Sequence, residues 1–106
     1  MNDETFPNAT VEKRANIYDG GGITSYELIT ESGERKTLGV MQPGRYDLRT
    51  GEDDRRIVEI YAGELSLETG DSSDGYGAGE RYTVDPNTEF TLDVRELVEY
   101  CCTYRS

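Results

Sequence analysis

The chain has 106 residues, enough for one domain, and only 34% of them are hydrophobic, so its core must be economical. Its 22 acidic and 11 basic residues leave a net charge of −11, a surface that repels phosphate backbones and anionic bilayers and disfavours general nucleic-acid or membrane binding. There is no histidine, which removes the commonest metal ligand, and eight tyrosines stand against two phenylalanines, so interior hydroxyls will need partners. Lys13 and Lys36 are the only lysines. An acidic, lysine-poor surface suits a salt-rich cytoplasm and ordinary acidic proteins alike. Cys101 and Cys102 are adjacent and read as two reduced thiols of a cytosolic protein. The N-terminus lacks the basic start and apolar run of a secretory signal, and no stretch approaches membrane-spanning length, so a cytoplasmic location is expected.

In chain order, residues 1–7 read as a flexible terminus and 8–106 as a single domain. Thr10 to Tyr18 alternates, with Val11, Ala15 and Ile17 on one face, and predicts a strand. Asp19 to Gly22 breaks it as a turn. Strands are then predicted at Ile23–Thr30, Thr37–Met41 and Arg45–Thr50, with turns at Glu31–Glu34 and Pro43-Gly44. Gly51 to Arg55 reads as a charged loop. Ile57–Tyr61 and Leu65–Thr69 form the next pair, and glycine- and serine-rich Gly70–Gly79 reads as a surface loop. Runs at Tyr82–Val84, Phe90–Val94 and Tyr100–Tyr104 complete nine or ten short strands. Arg95 to Glu99 has room for a single helical turn, and there is no other helix. Short strands at this cadence predict an all-β sandwich or barrel. Alternation places Tyr46, Leu48, Thr50, Val58, Ile60, Leu65, Leu67, Tyr82, Val84, Phe90, Leu92, Val94, Tyr100, Cys102 and Tyr104 on its inner face.

Three blocks carry a family resemblance: Asn8 to Tyr18, Gly33 to Met41 running into Pro43-Gly-Arg-Tyr46, and Tyr76 to Glu80 running on to Phe90. With the Tyr100–Tyr104 end, they resemble the small bacterial pyrimidine/purine nucleoside phosphorylase family over residues 8–104. That resemblance implies a single-domain cupin barrel of the jelly-roll kind. It also implies cleavage of purine and pyrimidine nucleosides by inorganic phosphate, giving free base and ribose 1-phosphate, with no metal or organic cofactor. Since cupins commonly dimerise, a homodimer paired through a tyrosine-rich outer sheet face is expected. Against the general cupin pattern opened by Gly44 and closed by Gly63, the metal-histidine positions fall on Thr50, Glu52 and Phe90. The metal-glutamate position falls on Arg56. The chain follows the resembled family at Thr50, Glu52 and Phe90 and departs from it at Arg56, where a glutamate is expected.

Phosphorolysis builds positive charge on the sugar, by analogy with glycoside hydrolysis. It asks for a cation or amide donors for phosphate, a carboxylate or hydroxyl for the ribose, and an aromatic wall for the base. The expected catalytic set is Thr50 on phosphate, Glu52 on the ribose hydroxyls and Arg56 on phosphate, where a guanidinium fork matches the oxygens. The expected substrate-binding set is Tyr46, Lys36 as a second candidate cation, Phe90 against the base, and Tyr100. Each has a plainer reading: solvated loop charges for Glu52 and Arg56, an ordinary strand residue for Thr50, a snorkelling side chain for Lys36, and core packing for the aromatics. Glu59 falls on the outer face and reads as interface or solvent. Two other readings are a metal-free cupin that binds a nucleotide or sugar without catalysis, and a sugar-ester isomerase, against which the missing histidines count.

Overall fold

Turn residues cut the chain into eleven antiparallel strands within the described residues, 5–105, of a computed structural model. Four of them, β1 (Thr10–Val11), β2 (Asn16–Tyr18), β3 (Ile23–Ile29) and β4 (Arg35–Met41), precede the first cupin-like glycine. β5 (Gly44–Arg49), β6 (Arg55–Ala62), β7 (Glu64–Thr69) and β8 (Ser72–Gly77) follow. β9 (Arg81–Val84), β10 (Glu89–Val94) and β11 (Val98–Arg105) close the chain. The class is all-β, as the alternation predicts. The backbone bends at Arg95 and Glu96 without forming a helical turn.

The strands make two sheets. The larger runs β1-β3-β4-β11-β6-β9, with β2 also paired to β3, and the smaller runs β5-β10-β7-β8. Among the described residues no ladder joins them, so the barrel is not closed. Their facing sides share one core, from Ile23, Met41 and Tyr100 on the large sheet to Tyr46, Leu65, Leu92 and Val94 on the small one. Of the fifteen residues that alternation assigns inward, only Leu48 and Tyr104 stay partly exposed. Burying such a face supplies most of the driving force for folding.

Two expected elements differ. Thr10–Tyr18 is not one strand, because residues 12–15 leave the ladder, and Val11 and Ile17 are exposed. Gly70–Gly79 is not a loop: Ser72–Gly77 pairs residue for residue with β7. A glycine- and serine-rich edge strand held by backbone bonds shows no apolar alternation. Of the terminus expected to be flexible, residues 1–4 lie outside the described residues, and Phe6 approaches Lys36, whose Nζ is 5.6 Å from the ring centroid.

β11 lies between β4 and β6, and its register fixes what faces the interior. Tyr100 pairs with Gly39 and Ile60, Cys102 with Thr37 and Val58, and Tyr104 with Arg56. Gly39 in turn pairs with Ser25 on β3. A Cβ on Gly39 would sit 2.3 Å from the Thr24 carbonyl oxygen and 2.8 Å from Ser25 Cβ. The bare glycine therefore lets β4 lie close against Thr24 and Ser25 of β3, beneath Tyr100.

Candidate functional site

Between the sheets lies a cavity of about 190 Å³. Alternation along β11 sends Tyr100, Cys102 and Tyr104 into it, β6 adds Arg56 and Val58, β9 adds Tyr82 and Val84, and β10 adds Phe90. Ser25 and Met41 come from β3 and β4, and Tyr18 stands half-exposed at the edge. No carboxylate and no side-chain amide lines this space among the described residues; its charged members are Arg49 and Arg56. Arg49 faces the other way: its Nη2 donates to Asn87 Oδ1 at 2.6 Å, and Nη1 lies 3.6 Å from Glu89. Arg35 is tied to Glu27, Arg45 to Glu68, Arg55 to Asp85 and Arg105 to Glu34, all outside the cavity lining. Arg56 is thus the cation the cavity presents.

Arg56 lies one position into β6, its side chain 28% exposed. Its Nε and Nη2 donate to Asp54 Oδ2 at 3.2 and 3.0 Å, and its guanidinium carbon is 5.5 Å from the Tyr104 ring centroid. Burial works against its charge; the Asp54 hydrogen bond and the nearby tyrosine outweigh burial and hold its pKa above the ordinary value. Around it, burial keeps the acidic hydroxyls and thiol neutral. Tyr104 is pushed up to about 12 and Cys102 to about 11, while Tyr82 and Tyr100 are raised well above the ordinary tyrosine value, all chiefly by desolvation. At neutral pH the cavity therefore offers one fixed cation and several neutral O–H donors to a ligand.

These shifts tie stability to alkali. Unfolding returns Cys102 to 9.0 and Tyr104 to 10.0. Between about pH 9 and pH 12 the unfolded chain therefore holds fewer protons than the folded one, so stability falls as pH rises. Below about pH 9 these groups contribute no slope. Urea midpoints are expected to be level across pH 7–8.5 and to drop progressively above about 9; a level profile up to pH 11 would contradict the buried, neutral state of these groups.

The cavity holds Arg56, Phe90 and Tyr100 of the residues expected from sequence, and does not hold Thr50, Glu52, Tyr46 or Lys36. Thr50 is 1% exposed, and its hydroxyl is spent on the backbone: it donates to the Asp85 carbonyl at 2.6 Å and accepts from the Thr88 amide at 2.9 Å. It pins the β9–β10 turn and has no room for phosphate. Glu52 is exposed in the β5–β6 turn. Tyr46 is core, its hydroxyl donating to the Gln42 carbonyl at 2.7 Å. Lys36 pairs with Thr103, which alternation turns away from Cys102 and Tyr104, so it lies on the opposite face of the large sheet. There its Nζ donates to Thr103 Oγ1 at 2.7 Å and faces Glu34 at 3.3 Å. Tyr104, Tyr82 and Ser25 are cavity residues absent from the expected site. Alternation did place the two tyrosines inward, but a strand tyrosine next to a cavity has the same pattern as one in solid core.

Residues 13–104 match the pyrimidine/purine nucleoside phosphorylase family. The chain belongs to that family. A pyrimidine/purine nucleoside phosphorylase from Geobacter metallireducens is 43% identical over 101 residues, covering 93% of this chain and 95% of that protein. The crystal structure of a protein of unknown function from Acinetobacter sp. ADP1 is similar with a TM-score of 0.87 at 31% identity, over 95% of this chain and 98% of that one. Ectoine synthase from P. lautus, a cupin-type protein, is similar in fold alone: its TM-score is 0.71 at 17% identity, over 84% of this chain and 67% of that one. For this phosphorylase-family chain, no group of three or more histidine, cysteine, aspartate or glutamate side chains is placed to hold a metal among the described residues. Among the described residues no helix is long and apolar enough to cross a membrane.

Thr50→Val keeps the side chain's volume and removes its hydroxyl, leaving the part-buried Thr88 amide and the Asp85 carbonyl short of a partner. It is expected to lose about 1–3 kcal/mol in urea denaturation with phosphate affinity unchanged. Unchanged stability with lost phosphate affinity would restore Thr50 to the site.

Proposed function

We propose that the cavity is the site of a nucleoside phosphorylase, with Arg56 gripping inorganic phosphate and the aromatic wall holding the nucleoside. The observation that carries this reading is a guanidinium in a cavity free of carboxylates, inside a chain of net charge −11. Such a site suits a small anion, and phosphate is the co-substrate that the family name calls for. A phosphate oxygen forms the new bond to ribose C1′ as the C1′–N bond breaks, and the bond's electron pair leaves with the base. The base then takes up a proton. Charge building on the ring faces no protein carboxylate in this cavity, so the phosphate dianion itself is the counter-charge. Arg56 holds that dianion in line, and the neutral hydroxyls of Tyr100 and Tyr104 serve the ribose and the leaving base. Neither metal nor organic cofactor enters this scheme.

At about 190 Å³ the cavity is smaller than the roughly 300–1,000 Å³ of ordinary ligand pockets. The sugar and phosphate therefore go deep, and the base rests on the edge by Tyr18. Lacking amides and carboxylates, the wall has little with which to read one base edge against another, which supports acceptance of both purine and pyrimidine nucleosides.

In this reading the protein acts in the cytoplasm as a homodimer. Ile17, Tyr26 and Tyr61, which are 64%, 46% and 52% exposed, lie on the outer face of the large sheet. That is the apolar surface a second copy would cover.

Incubated with uridine or adenosine, the protein is expected to release free base only when phosphate is present, and to sediment at twice its 11.9 kDa chain mass. Arg56→Gln is expected to raise the phosphate KM by about 10-fold or more, the worth of a charge-assisted hydrogen bond, and to leave the nucleoside KM nearly unchanged. Phosphate binding without base release from any common nucleoside would favour the non-catalytic binding module. That reading has the missing carboxylate in its support.

A further inference from the structure

We propose that Asp54 is the positioning residue of the anion site, holding one edge of Arg56 so that the other edge meets phosphate. The inference rests on the reading of Arg56 as the phosphate-binding group. Asp54 closes the turn after β5, its amide donating to the Gly51 carbonyl at 3.4 Å, and stands immediately before β6. Two residues along an extended strand share a face, so its carboxylate reaches the Arg56 side chain from the turn. It is not itself among the cavity-lining residues.

The contact is lopsided. Nε and Nη2 both donate to Oδ2, at 3.2 and 3.0 Å, while Oδ1 is buried with no hydrogen-bond partner among the described residues. A fork matched to a fork would put one N–H on each oxygen. Here the carboxylate takes only the Nε–Nη2 edge, and the Nη1–Nη2 end stays available. A phosphate bound at that end would receive two parallel N–H bonds. The Tyr104 ring, 5.5 Å from the guanidinium carbon, limits the swing of the side chain from another side.

Two effects of Asp54 oppose each other. Its negative charge offsets part of the attraction between Arg56 and phosphate. Its hydrogen bonds fix a long side chain that would otherwise lose rotamer freedom when phosphate binds. Ordering is the larger effect if Asp54 is a positioning residue, and the two are separable. Asp54→Asn removes the charge and keeps an acceptor for both N–H groups. Asp54→Ala removes both.

The test is titration of wild type, Asp54→Asn and Asp54→Ala with inorganic phosphate by calorimetry, alongside phosphate and nucleoside KM values and urea midpoints. Asp54→Ala is expected to bind phosphate about 10-fold more weakly, raising the phosphate KM and sparing the nucleoside KM. Asp54→Asn is expected to bind at least as well as wild type. Alanine binding phosphate as tightly as wild type, or more tightly, would overturn the positioning role, as would equal losses in both variants. Phosphate binding that follows the expected order without any release of base would keep Asp54's role and remove phosphorolysis. A wild type that binds no phosphate would remove the anion site and Asp54's role with it.

Discussion

The side-chain direction of β11 is the constraint from which the rest follows. This strand carries the ladders to both β4 and β6, so its pleat settles which groups on three strands face the cavity. Tyr100, Cys102 and Tyr104 face in; Cys101 and Thr103 face out, and Lys36 goes with them. The two adjacent cysteines consequently lie on opposite faces of one sheet, both buried and both free thiols. A bond between them would require undoing the pleat. The bulge between Glu99 and Tyr100 sets this phase, and Gly39, opposite Tyr100, lets β4 lie close against Ser25 of β3.

Charge is distributed against the chain's average. The exterior is acidic, and most of its arginines are matched to carboxylates there in pairs that are largely exposed and contribute little individually to stability. Inside, the pattern reverses: a cation, neutral hydroxyls and a thiol, with the nearest carboxylate behind the cation. In a partly desolvated space a fixed charge acts more strongly than on the surface, which is why the proposed anion site rests on one guanidinium. An acidic exterior repels anions at long range, and salt screens that repulsion.

The fold was largely legible because period-two alternation survives wherever a strand has one buried face. It failed where a strand has none. β1 and β2 lie at the margin of the large sheet with Val11 and Ile17 exposed, and β8 is an edge of serine, glycine and aspartate held by backbone bonds alone. Of the residues expected for the site, Arg56, Phe90 and Tyr100 line the cavity. The sequence was misleading at Thr50, where a hydroxyl suited to phosphate is committed to a turn 35 residues away in sequence. Lys36 and the cavity tyrosines show a further limit. Whether a strand residue faces a cavity or the opposite side depends on its pairing partner, and local spacing does not contain that partner.

The most direct measurement is the position of bound phosphate in crystals of the protein grown or soaked with it. The account predicts a phosphate inside the cavity, accepting hydrogen bonds from the Nη1–Nη2 end of Arg56, with Asp54 still on the opposite edge of the guanidinium. Phosphate seated on Arg49, Lys36 or the outer face of either sheet, with the cavity holding only solvent, would contradict it.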